Sequence, residues 1–285
     1  MALNEQAGIG VRRETYREGD RDKMAKITMK PESRSEAAHS AYEELGARFE
    51  QHDPRDQYTY MYSKLRSDYT LMESVGMDGK SVLNVGCSFP VDELYYARKI
   101  GHWTAIDLSP QSIEGAERIL KRELHPDLAA KFTFEVADAC DLPYEDGTFD
   151  VAVSMSTIDH IPSPQGRQKA VDEMARTTKP GGHVIITVPN WWNPPYALGI
   201  WKMTREKTLH YGYAHLFSPP EIRKMAERNG LRPVRFASSI TPLDDVWLPG
   251  YPAPIRWGAK LEFRVHRTLG YLGRRVGYAF EKPTR

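Results

Sequence analysis

Between residues 81 and 188 short apolar runs alternate with polar, helix-like stretches, and that alternation leaves few folds open. The runs are Ser81-Val-Leu-Asn-Val85, Thr104-Ala-Ile106, Phe132-Thr-Phe-Glu-Val136, Phe149-Asp-Val-Ala-Val153 and His183-Val-Ile-Ile-Thr-Val188. Helix-like stretches at 91–100, 110–123 and 165–178 separate most of them. Strands alternating with helices predict a parallel sheet covered on both faces. Ser109-Pro110 reads as an N-cap followed by proline at the first helical position, with Ile113, Ala116 and Leu120 at helical spacing. Lys179-Pro-Gly-Gly182 is expected to end the preceding helix, since proline cannot continue the ladder and glycine tolerates the reversal.

The flanks differ from this core. Residues 1–35 are polar and without periodicity, and read as a flexible N-terminal arm. A single domain is expected from 36 to 285. It opens with a helical extension: one helix capped by Ser35, then aromatic Tyr58-Thr-Tyr-Met-Tyr62, then a second helix through Leu65, Tyr69 and Leu71. After Asn190 the alternation breaks. Residues 191–217 form a first insertion, followed by a helix from Pro219 to Asn229 and a strand from Val234 to Ile240. A second insertion spans 241–272, and Val276 to Phe280 reads as a last strand.

Composition narrows the partners. Lys plus Arg number 39 against 38 Asp plus Glu, so the basic excess typical of nucleic-acid binders is missing and no nucleic-acid partner is expected. Two cysteines, Cys87 and Cys140, cannot build a disulfide framework and suggest a reducing compartment. No segment approaches the ~18 apolar residues of a membrane span, and the N-terminus lacks the apolar run of a signal peptide. The expectation is a cytoplasmic protein.

In open α/β sheets, ligands bind beyond the carboxyl ends of the strands. There the sequence places the Gly86-Cys-Ser-Phe-Pro90 turn, Asp107, Asp138 and the Ser154-to-His160 loop. Asp107 follows the first turn by about twenty residues, the distance at which a carboxylate can grip ribose hydroxyls. Asp138 can accept from an adenine amino group.

These segments carry a resemblance. Val82-Leu-Asn-Val-Gly-Cys87, Ile106-Asp-Leu-Ser109, Ala137-Asp-Ala-Cys-Asp-Leu-Pro143, Gly147-Thr-Phe-Asp-Val151 and Lys179-Pro-Gly-Gly182 resemble, in order and spacing, class I S-adenosylmethionine-dependent methyltransferases of the ubiquinone/menaquinone type. The resemblance implies a Rossmann-like α/β fold with a seven-stranded, mostly parallel sheet, helices on both faces and the last strand antiparallel. It implies a cofactor-binding core at 80–190 and substrate lids at 191–217 and 241–272. It also implies S-adenosylmethionine as cofactor, with Gly86, Cys87 and Ser88 at its amino-acid end and Asp107 at the ribose. Leu108 would lie against the adenine, Asp138 and Ala139 at its edge, and Ser154 and Met155 beside the methyl-donor channel.

One departure stands out. The family reads Gly-Cys-Gly-x-Gly where this chain has Ser88 and Pro90 in place of the second and third glycines. Two readings are open and can hold together: the Ser88 hydroxyl replaces a lost donor, and Ser88 caps the following helix with Pro90 in its first turn; the sequence favours the cap. The missing glycine pattern also argues against a dinucleotide-binding enzyme.

His160 is the candidate catalytic base, and the competing reading is a histidine bonded to local backbone. Asp159 is a weak candidate to orient it, because adjacent side chains seldom face the same way. Histidine and cysteine spacings suggest no metal, and His215 is expected to pack on or cap the next helix. Tyr62, Trp191 and Tyr211 are candidate substrate contacts, with packing on the sheet edge or under a loop as the alternative. Arg256, Lys260, Arg264 and Arg267 run beside Trp257, Leu261, Val265 and Leu269, a basic amphipathic pattern that fits a packed helix or a peripheral membrane contact. The expected function is methyl transfer to a small-molecule or lipid-like acceptor at oxygen. The alternatives are a non-catalytic S-adenosylmethionine-binding protein and a membrane-peripheral quinone C-methyltransferase. The acceptor and the oligomeric state are left open.

Overall fold

A computed structural model describes residues 66–206, 208–209, 212–239 and 270–284. The expectations for the arm, the helix capped by Ser35, Tyr62, Tyr211 and the basic stretch 256–267 lie outside the described residues.

Seven strands form one sheet: β1 (Ser81–Val85), β2 (His102–Asp107), β3 (Phe132–Val136), β4 (Phe149–Met155), β5 (Thr178–Pro189), β6 (Arg232–Ser239) and β7 (Arg275–Glu281). Their order is β3-β2-β1-β4-β5-β7-β6. β1 to β5 pair in parallel, while β7 runs antiparallel to both β5 and β6. This is the expected mostly parallel sheet with its last strand reversed. The helices are α1 (Arg66–Val75), α2 (Val91–Tyr96), α3 (Pro110–Glu123), the single turn α4 (Pro126–Ala129), α5 (Pro164–Thr177), α6 (Pro194–Glu206) and α7 (Pro219–Glu227).

Alternate strand residues feed two separate cores. Leu83, Val85, Ala152, Val184 and Ile186 pack on Val171 and Met174 of α5 and Met225 of α7. Val82, Ala105, Val151, Val153 and Ile185 pack on Leu71 and Met72 of α1, Tyr96 of α2 and Ile113 of α3. Continuous apolar strands are therefore required, because both faces are covered. The helix starts follow the sequence closely. Ser109 and Ser163 each accept a backbone N–H, from Ser112 and Gly166, with proline next in line. Such caps contribute about 1 kcal/mol each.

Three expectations need correction. α2 ends at Tyr96 rather than at residue 100, the chain turning through Lys99 N–H donating to the Tyr96 carbonyl. β5 starts at Thr178, so Lys179-Pro-Gly-Gly182 belongs to the strand. It forms the irregular stretch where the β4 register shifts between Phe149 and Val151. β6 begins at Arg232 and contains Pro233, which an edge strand tolerates because its unpaired side needs no donor.

Candidate active site

The strand order reverses between β1 and β4, so the crevice of this sheet opens beyond their carboxyl ends. Backbone strain gathers at the same place. Among the described residues two non-glycine residues have left-handed backbones: Ser88 (φ 43°) after β1 and Ser156 (φ 53°) after β4. Such strain persists only where surrounding structure imposes it, and it clusters at functional sites. Gly86 is left-handed too (φ 77°), and a Cβ there would run into the Thr157 side chain. The two loops are thus locked together, Gly86 against Thr157.

The turn after β1 is tied to β2. Gly86 and Cys87 both donate backbone N–H groups to the Ile106 carbonyl at 2.8 and 2.9 Å. Ser88 donates its N–H to Asp107 Oδ2 at 3.0 Å, and Ser109 donates to Asp107 Oδ1 at 3.0 Å. Burial raises the Asp107 carboxyl above its ordinary value, opposed by the N–H groups of Ser109, Ser88 and Leu108. Ser88 therefore does not cap α2: the N-cap is Pro90, and no side chain bonds there. The favoured cap reading is corrected, and Pro90 stands one position before the first turn. The physical reason is the left-handed backbone of Ser88, which turns its N–H onto Asp107. Replacing Ser88 by glycine removes strain of about 1–2 kcal/mol, partly offset by the freer unfolded chain. We expect Ser88→Gly to gain roughly 0.5–1 kcal/mol in urea unfolding; a loss of stability would show that Ser88 is not strained.

The other candidates take distinct places. Cys87 is buried among apolar side chains, and that burial pushes its thiol well up, so only its backbone borders the crevice. Leu108 leaves β2 with its side chain 53% exposed, an apolar group held beside a carboxylate. Asp138 is exposed and accepts the Cys140 N–H at 2.8 Å, while Ala139 packs against the core. Met155 also packs inward. Ser154 is fully buried at the end of β4, and its Oγ has no hydrogen-bond partner. An orphaned hydroxyl at the crevice, an exposed apolar residue and a strand-end carboxylate fit a nucleoside carrying a polar tail. Asp107, Leu108 and Asp138 would hold the nucleoside, and the Gly86–Ser88 turn its tail.

The β4 loop holds His160 in a short 3-10 turn, Ile158–His160. Its Nδ1 lies 2.6 Å from the Tyr213 carbonyl. A carbonyl only accepts, so Nδ1 carries the proton and Nε2 is the basic nitrogen of the neutral ring. Asp159 Oδ2 stands 3.4 Å from Nε2, so the two neighbours do face each other. The tight turn brings them together, against the sequence expectation. Asp159 is itself buried, which raises its carboxyl, opposed by the charges of His160 and Arg275. His215 donates its N–H to the Asp159 carbonyl, packs edge-on against Phe217 and bonds Glu221 at 2.9 Å, as expected of a residue securing α7. Trp191 lies two residues beyond the end of β5 and is half exposed.

Two polar clusters were missed by the sequence. Arg275 donates to Asp68 Oδ2 at 3.0 Å and Thr187 Oγ1 at 2.9 Å beneath the crevice. Glu93 accepts from Asn84 at 2.7 Å and Trp103 at 3.0 Å. Neither left a signal, since the partners come from separate elements.

This sheet order and crevice define a class I methyltransferase fold. Residues 83–186 match the methyltransferase domain family, and the chain carries a class I, S-adenosylmethionine-dependent methyltransferase domain. The chain is 34% identical over 108 residues to norajmaline N-methyltransferase of Rauvolfia serpentina, covering 38% of this chain and 35% of that enzyme. It is 26% identical to the ubiquinone biosynthesis O-methyltransferase of Vibrio parahaemolyticus, over 73% of this chain and 88% of that one. A solved S-adenosylmethionine-dependent methyltransferase of Thermotoga maritima superposes with TM-score 0.58 at 16% identity, over 86% of this chain and 99% of its own. The chain spans about a third of the length of the first curated relatives it matches.

Proposed function

We propose that this protein transfers a methyl group from S-adenosylmethionine to a hydroxyl of a small, largely apolar molecule. The observation that carries the reading is the placement of His160: its Nδ1–H is fixed by Tyr213, and the loop that carries it leaves the carboxyl end of β4, where the crevice opens. Relatives named as acting at oxygen and at nitrogen support a small-molecule acceptor.

The bound cofactor supplies an electrophilic methyl group. The chain's own residues position and deprotonate. Asp107 would accept from ribose hydroxyls through lone pairs left after its backbone bonds, and Leu108 would cover the base. Asp138 accepts from the adenine amino group. On methylation of an acceptor hydroxyl, its proton would pass to His160 Nε2. Asp159, at 3.4 Å, stabilises the imidazolium that results. Alignment of the two reactants supplies much of the rate. Trp191 and, from the sequence, Tyr62 and Tyr211 are assigned to the acceptor pocket. Two free cysteines agree with a cytoplasmic location.

Calorimetric titration with S-adenosylmethionine and its demethylated product tests the reading. Asp107→Ala is expected to weaken both by on the order of a hundredfold, since two charge-assisted hydrogen bonds are lost. No heat with the wild-type chain at millimolar ligand would end the proposal. A second reading, binding without catalysis, is favoured by Pro90, which removes an N–H beside the cofactor's tail. It predicts tight binding but no methylated product with any phenol, hydroquinone or amine.

A further inference from the structure

Exposed apolar side chains are unevenly spread over the described surface. Trp191 (50% exposed), Trp192 (40%), Leu198 (45%), Tyr271 (49%) and Leu272 (46%) come from only two segments, the start of the first insertion and the turn before β7. Hydrogen bonds fasten those segments together. Asn190 donates to the carbonyls of Tyr271 and Gly273 at 2.8 and 2.7 Å, and Asn193 donates to the Leu272 carbonyl at 2.8 Å. The Trp192 and Tyr271 rings meet edge to face, 6.2 Å between centroids. β5 ends and β7 begins at the same sheet edge, so this patch rims the crevice described above. A fixed cluster of this kind is unusual for a surface turned only to water.

The rim is cationic. Lys202 and Arg205 are exposed on α6, and Arg274 lies 4.9 Å over the Tyr196 ring. The acidic residue of α6, Glu206, faces Lys202 at 3.9 Å. Tryptophan and tyrosine favour the boundary between water and hydrocarbon, because a large apolar ring carries a polar atom. Cations around them favour anionic headgroups. Among the described residues no helix is long and apolar enough to cross a membrane, so such contact would be made from one side.

We infer that this face docks on an anionic lipid surface, with Trp192 and Leu272 entering the headgroup boundary and Lys202, Arg205 and Arg274 on the phosphates. The crevice then opens toward the bilayer, and an apolar acceptor enters from the lipid. This last consequence rests on the methyl-transfer reading; the docking does not.

The test is co-sedimentation of the full chain with vesicles of phosphatidylcholine alone or mixed with phosphatidylglycerol, at low and high salt. Binding is expected on the mixed vesicles only, and weakening as salt screens the charges. Trp192→Ser with Leu272→Ser should weaken it about tenfold or more, since each change removes apolar area that leaves water. Lys202→Glu with Arg205→Glu should weaken it about thirtyfold or more. Circular dichroism and unfolding of the variants, which change exposed positions, separate lost docking from lost folding. No binding to mixed vesicles by the wild-type chain overturns the inference. So does binding that none of these folded variants changes. Concentration-dependent dimerisation abolished by Trp192→Ser/Leu272→Ser, without vesicle binding, assigns the face to a second copy instead. Vesicle binding needs neither methyl donor nor turnover, so its failure is distinct from failure of the methyl-transfer reading.

Discussion

Replacing Asp68 by alanine is expected to destabilise the protein by about 3 kcal/mol, a fall of roughly 10 °C in Tm for a domain of this size. Asp68 is fully buried in α1 and holds Arg275 at 3.0 Å, while the Arg275 side chain is 19% exposed. Removing the carboxylate strands a guanidinium whose Nε already has no partner. That stranded charge, rather than the pair's own attraction, sets the cost. Taking both charges away should therefore cost less than the two single changes summed. In a cycle of Asp68→Ala, Arg275→Met and the double variant, we expect a coupling of about 2 kcal/mol in chemical unfolding. Strict additivity would show that the two residues act independently. The pair joins α1 to the strand beneath the crevice. Thr187 extends the link, since its hydroxyl accepts from Arg275 and its carbonyl from the Ser156 N–H at 2.8 Å. Ser156 opens the loop that carries His160, so destabilising this corner is expected to disturb the catalytic loop as well.

The parts legible in the sequence were those written in local pattern. Runs such as Val151 to Val153 are buried on both faces, so their apolar character is continuous and visible. Ser109-Pro110 marks a helix start by cap chemistry alone. Asp107 was legible because its position follows from the strand end. The cofactor motif needed the resemblance as well, and its broken glycine pattern hid what Ser88 does. A serine gives no sign of a left-handed backbone, so its N–H contact to Asp107 was not foreseeable. Arg275 was out of reach for a different reason. Its partner Asp68 lies 207 residues earlier, and neither belongs to a motif. Adjacent Asp159 and His160 misled in the opposite direction, because the rule for neighbours in extended chain fails in a tight turn.

Glu93 should make stability depend on pH in the unusual sense for a carboxylate. Burial pushes its pKa up to about 7, opposed by the hydrogen bonds from Asn84, its own backbone and Trp103. Both side-chain donors reach Oε1, and Oε2 is buried without a partner, as suits a protonated carboxyl. The folded state thus holds this proton more tightly than the unfolded chain does. Its contribution is fully present below about pH 4.5, where both states are protonated. It is lost as the pH rises to about 7, through the window between the two pKa values. The difference amounts to roughly 3 kcal/mol at pH 8. Glu93→Gln keeps an acceptor for Asn84 and Trp103 and cannot ionise. Its buried amide donors add a cost that is the same at every pH. The measurement is therefore the stability of the variant minus that of the wild type, followed from pH 5 to pH 8. We expect that difference to move by about 2–3 kcal/mol in favour of glutamine. A residual slope in the variant would come from neighbouring Asp92, whose buried carboxyl is also raised. A difference that stays flat across the window would mean that Glu93 ionises in the folded protein as readily as in water, and that the Asn84 and Trp103 bonds hold it as a carboxylate.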